Sequence, residues 1–134
     1  MVNTCVKVEF LIFGENVLPE EITEKLSISP SHKWRKGDPL KNGGSEESSG
    51  WEICTDYEES LDINDQLNKI VSKLSIKQEQ LINICNKNGM ESRFCIAIII
   101  ENGQTPSVGL SKEIIEFAHF LKAEIDFDIY VNPY

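Results

Sequence analysis

Four of the chain's 13 Lys and Arg residues, Lys33, Arg35, Lys36 and Lys41, fall within nine positions of the segment SHKWRKGDPLKNGGSEESSGW. Lys33, Arg35 and Lys36 surround Trp34, and Asp38 follows. Cationic side chains beside an indole can hold a carboxylate or phosphate by charge-assisted hydrogen bonds, with the ring as an apolar or stacking surface. Lys33, Trp34, Arg35, Lys36 and Asp38 are therefore the first candidates for a ligand or partner site. The same residues have a plainer reading, in which Trp34 packs in the core and the lysines guard an exposed strand edge. The glycine-rich loop beyond them lacks the GK[ST] ending of a phosphate-binding loop.

A second candidate is the row Glu124, Asp126 and Asp128. Alternate positions on a strand project to one side, so three carboxylates converge there. Oxygen ligands in a row suit a divalent cation, but no fourth ligand and no calcium-loop spacing accompanies them. A solvated acidic face that meets a basic partner, or Lys33 and Arg35 of the same fold, explains them equally. The four cysteines, Cys5, Cys54, Cys85 and Cys95, include no CxxC pair, so no metal site is assigned. Cys85 and Cys95 sit in apolar surroundings and read as small core residues. A cysteine or serine nucleophile needs a base within hydrogen-bond reach, and neither His32 nor His119 has a local motif partner. No catalytic residue and no cofactor is assigned.

Composition narrows the partner. Formal net charge is −9, from 22 Asp and Glu against 13 Lys and Arg. That balance opposes nucleic-acid binding, which draws affinity from neutralised phosphates, and opposes anionic membranes. It favours encounter with a basic protein. The acid is uneven, with eight carboxylates and no Lys or Arg between Glu46 and Asp65. The longest purely apolar run, Phe94–Ile100, is seven residues, far short of the roughly 20 that a membrane helix needs. Glu9 interrupts the apolar patch near the start and no small-residue cleavage site follows, so a cytoplasmic protein with reduced thiols is expected.

The elements follow from periodicity. Val6–Phe13 is rich in β-branched and aromatic residues and stops at Gly14, as a strand does. PEEITEKL opens with Pro19 at a first helical position and Glu20 and Glu21 in the first turn. Residues 32–36 and 51–55 read as strands joined by a long loop, with residues 41–50 mobile. Ile63, Leu67, Ile70, Val71 and Leu74 have helical spacing behind an Asp62 cap. Ser75 and Gln78 have the spacing of a capping box for a second helix, which Gly89 ends. Residues 94–100 do not alternate, which predicts a central strand covered on both faces. Ser111 caps a further helical run, and residues 124–131 alternate cleanly between acidic and apolar. The order is strand, helix, two strands, helix pair, strand, helix, strand. That predicts one α+β domain over residues 1–134: a single mixed, largely antiparallel sheet with helices packed on it, a ferredoxin-like variant with an added helix–strand unit.

FLIFGENVLPEEITEKLSISP, KWRKGD, a loop ending in tryptophan and LSKEIIEFAHFLKAEIDFDIY together resemble the bacterial domain-of-unknown-function family 4279 (DUF4279) over nearly the whole chain. The resemblance implies a single cytosolic bacterial domain and brings no agreed activity or catalytic residues. Function is therefore expected to be partner binding without catalysis, in its sharpest form an immunity or inhibitor protein neutralising a basic partner. A small-anion or nucleotide-binding module is the alternative, and a metal-assisted carboxylate enzyme comes last.

Overall fold

Strand β1, Cys5–Gly14, is a run of β-branched, aromatic and charged residues with strict alternation. Val6, Val8, Phe10 and Ile12 are fully buried, while Lys7, Glu9, Leu11 and Phe13 point to the other face. The fold around it is taken from a computed structural model that describes residues 3–133. β1 pairs antiparallel on one edge with β3, Ser49–Cys54, and on the other with β5, Glu91–Ile100. A two-residue strand, β4 (Glu58–Glu59), pairs with Cys5 and Val6 at the start of β1. β2, His32–Trp34, borders β3, and β6, Glu124–Val131, runs parallel to β5. The sheet order is β2-β3-β1-β5-β6.

The helices are α1 (Pro19–Leu26), α2 (Ile63–Ser75), α3 (Gln78–Cys85) and α4 (Lys112–Leu121). β1 and β2, joined through α1, are separated by β3; β3 and β5, joined through α2 and α3, are separated by β1. This interleaving is the expected ferredoxin-like arrangement, and β5-α4-β6 is the added unit that contributes the parallel pair. Ile22, Leu26, Leu67, Ile70, Leu74, Leu81 and Ile114 from the helices meet Phe10, Phe94, Ile96 and Ile98 from the sheet in one core. Each such side chain contributes about 2 kcal/mol by leaving water. Phe10 and Phe94 touch with ring centroids 4.9 Å apart. The core tryptophan is Trp51, whose indole Nε1 donates to Thr23 Oγ1 at 3.0 Å and so ties β3 to α1.

Several local expectations are met as read: Pro19 opens α1, the Asp62 side chain accepts from Asn64 N–H, and that of Ser111 accepts from Ile114 N–H. Others are corrected. Ser75 ends α2, and its hydroxyl donates to the Ser72 carbonyl instead of capping α3, which has no side-chain cap. β2 ends at Trp34, because Arg35 N–H is taken by the Asp38 carboxylate in a turn. β5 is central in position but not covered on both faces: Arg93, Cys95, Ala97 and Ile99 are half-buried while Phe94, Ile96 and Ile98 are sealed. β4 lies in the acidic stretch and has no β-forming composition; its pairing with β1 creates it. At the start of the 41–50 loop Gly44 O accepts from the Leu40 N–H, and residues 49–50 already belong to β3. Among the described residues no helix is long and apolar enough to cross a membrane.

One close approach holds the end of β1 to the turn after α3. A Cβ on Gly14 would collide with the backbone carbonyl oxygen of Gly89, which cannot swing aside as a side chain can. Gly14→Ala should therefore destabilise the protein by about 2 kcal/mol, the scale of an overpacked core, read as a lowered urea midpoint. An unchanged midpoint would show that the two turns are free to separate.

Candidate functional site

Because the helices occupy one face of the sheet, the alternate residues of every strand gather on the other. In register across the sheet, one row runs Trp34, Gly50, Phe13. The next runs His32, Glu52, Leu11, Arg93, Glu124, and the third Cys54, Glu9, Cys95, Asp126. Lys7, Ala97 and Asp128 follow. This face is uncovered, and it holds most of the chemistry in the molecule.

Glu52 is its most perturbed acid. The residue is 9% exposed, and burial, with Glu9 beside it as a second negative group and hydrogen-bond partner, pushes the carboxyl from 4.5 up to about 7. Burial and the neighbouring Glu9 charge make ionising Glu52 costly, so Glu52 keeps its proton up to near neutrality. Glu9 itself is paired with Lys7 at 3.4 Å. Partial burial works against the Lys7 charge, but Glu9 outweighs it and raises the ammonium, which also sits 5.7 Å from the Tyr57 ring centre. Cys95 lies on this face and is only half-buried, which corrects its assignment to the core. Burial, then Glu9, raises its thiol to about 11, so it is protonated and unreactive at neutral pH. Cys5 and Cys85 are buried, and burial lifts the Cys85 thiol to about 12.

The first sequence candidates do not form one surface. Lys33 is in register with Trp51 and lies on the helix side, where it pairs with Glu20 of α1 at 3.6 Å. Trp34 projects to the open side and lies flat over Gly50, half-exposed, where any Cβ would strike the ring. Trp34 is thus outside the core, contrary to the plainer reading. Arg35 is held by the same Glu20, whose carboxyl is kept low first by its own backbone N–H and then by Arg35 and Lys33. Lys36 pairs with Glu15 at 3.2 Å, and Asp38 accepts from the Arg35 N–H at 2.8 Å. The positive segment therefore meets acids next to α1, at the opposite edge of the sheet from the acidic row.

Glu124, Asp126 and Asp128 do share one face of β6, as the alternation predicts. Arg93 reaches the first two, with 3.6 Å to Glu124 and 3.1 Å to Asp126, the latter too poorly angled for a hydrogen bond. Asp128 accepts from the Tyr130 hydroxyl at 3.1 Å. Glu9, Cys95, Ala97, Asp126 and Asp128 line a shallow groove of about 530 Å³. The opposite side of β6 is apolar and increasingly bare: Phe127 is 42% exposed, Ile129 50% and Val131 68%.

His32, Glu9, Glu52 and Cys54 were not assembled by sequence reasoning. The one signal was Glu9 interrupting an apolar strand; the register that sets it beside Cys54 and Glu52 is not legible in a single chain.

The Glu52 carboxyl gives a pH dependence with a definite sign. Between about 4.5 and 7 the unfolded chain has lost this proton and the fold keeps it, so the group's contribution is full below the window and lost as pH rises through it. Glu52→Gln, which mimics the protonated form, should flatten that fall and leave the variant more stable at pH 8 by up to about 3 kcal/mol. Urea denaturation of both proteins across the window reads it, and parallel profiles would contradict it.

No curated protein and no solved structure matches the chain. A family model does, over residues 3–132, and its description is Domain of unknown function (DUF4279). With that match covering nearly the whole length, and with the strand–helix opening and acidic-alternating β6 inside it, the chain belongs to this family.

Proposed function

We propose that this is a non-catalytic partner-binding protein of the bacterial cytosol, of the immunity or inhibitor type, which receives a basic protein partner at β6. The observation that carries the reading is the free edge of that strand. Asn132 N–H donates to Ile100 O, and backbone groups of a strand alternate sides, so the even-numbered residues of β6 face β5 and the odd-numbered ones face outward. Among the described residues, Ile125, Phe127, Ile129 and Val131 therefore present unpaired N–H and C=O groups. Their side chains line the bare apolar face, and the acidic row lines the other.

An incoming extended segment would complete the ladder, as in strand addition. Its side chains would have to alternate: apolar against Phe127 and Ile129, Lys or Arg against Asp126 and Asp128. A second copy is disfavoured in the register centred on Phe127, because antiparallel self-pairing there sets Asp126 opposite Asp128, and like charges directly opposite destabilise a pair. The net charge of −9 adds long-range attraction for a basic partner.

Capture from lysate of the source organism, at low and high salt, tests this with two variants. Ile129→Pro removes an outward N–H without touching the β5 ladder, and Asp126→Lys/Asp128→Lys reverses the charge. A basic protein should be bound by the native chain at low salt and weakened at least tenfold by either variant. A partner held equally well by both variants would place the contact elsewhere and overturn the reading.

A further inference from the structure

We propose that His32, Glu52 and Cys54 form a binding site for a zinc ion at the β2–β3 edge. An imidazole nitrogen, a carboxylate oxygen and a thiol sulfur from these residues all lie within 4.8 Å of one another. Bonds of about 2.0–2.3 Å in a tetrahedral zinc site put ligand atoms roughly 3.5 Å apart, so side-chain shifts of about 1 Å close the set.

The backbone explains why the three meet. His32 and Glu52 are register partners across β2 and β3, and Cys54 follows Glu52 by two residues on the same side of the strand. Ser31 fastens the junction: its N–H donates to Glu52 O at 2.8 Å, and its hydroxyl accepts from Cys54 N–H at 3.1 Å. The site is therefore built on paired strands and not on a loop.

A second observation points to a cation there. Among the described residues Glu52 is the only buried acid, and it has no ion pair there with Lys, Arg or His. Its carboxyl neighbour is Glu9, whose own cation is Lys7. A metal ion held with His32 and Cys54 would give Glu52 a cation in direct contact, where Lys7 acts on it only from a distance. The ligand types choose the metal class: a thiolate and an imidazole with one carboxylate suit zinc, whereas magnesium and calcium take oxygen ligands. Binding releases the Cys54 thiol proton, and any proton on the Glu52 carboxyl, to solvent and leaves a fourth position for water. The site lies at the opposite sheet edge from β6 and does not depend on the partner reading.

Cobalt(II) is the probe, because a Co–thiolate bond gives a near-ultraviolet charge-transfer band. The native chain should bind one equivalent with that band, and zinc should displace it. Cys54→Ser should abolish the band, His32→Ala should weaken binding at least tenfold, and Cys95→Ser should change neither; circular dichroism confirms that each variant is folded. Absence of a thiolate band in the native protein, or its survival in Cys54→Ser, overturns the site.

Discussion

Strand β1 is paired along both edges and buries Val6, Val8, Phe10 and Ile12 against the helices, so its intervening side chains have only the opposite face to occupy. With a side-chain period of two, a slip of one residue would drive Lys7 and Glu9 into the core and expose that apolar set. Several fully buried side chains at about 2 kcal/mol each hold the register against such a slip. Once β1 is fixed, β3 and β5 inherit the same division, and Glu9 must stand between Cys54 and Cys95. The open face is thus a consequence of how the core is sealed.

That face and the helix side sort the charge of the molecule. The basic segment is drawn to Glu20 and Glu15 at one edge, and the acidic row sits at the other with Arg93 answering two of its three members. Exposed pairs of this kind are worth little individually. Their importance lies in what they leave over: Lys33, Arg35 and Lys36 already have acids beside them, while Asp128 has a hydroxyl neighbour and an open flank. The excess negative charge and the uncovered apolar residues fall on the same strand, β6.

Much of the frame was legible in the residues. Pro19, Asp62 and Ser111 mark helix ends through local chemistry, and local chemistry is what a single sequence displays. Gly89 does take the left-handed conformation, but α3 has already ended at Cys85, with Asn86 as its cap. The alternation of residues 124–131 likewise gave the two faces of β6. What escaped depends on pairing. β4 exists only because Glu58 and Glu59 lie beside Cys5 and Val6. The run 94–100 is apolar on both sides, which concealed that one side is open. Trp34 and Trp51 are equally apolar in sequence, yet one lies over Gly50 outside and the other is sealed within. The grouping of His32, Glu52 and Cys54 needs the β2–β3 register, which a long loop leaves undetermined from sequence.

The central claim is that β6 ends the sheet as a free edge, ready for another strand. Amide hydrogen exchange of the isolated protein, resolved residue by residue, tests it most directly. The amides of Asp126, Asp128 and Tyr130 should be protected by β5, and those of Phe127, Ile129 and Val131 should exchange fast. Equal protection of both sets would mean that the edge is already covered in solution, and would contradict the account.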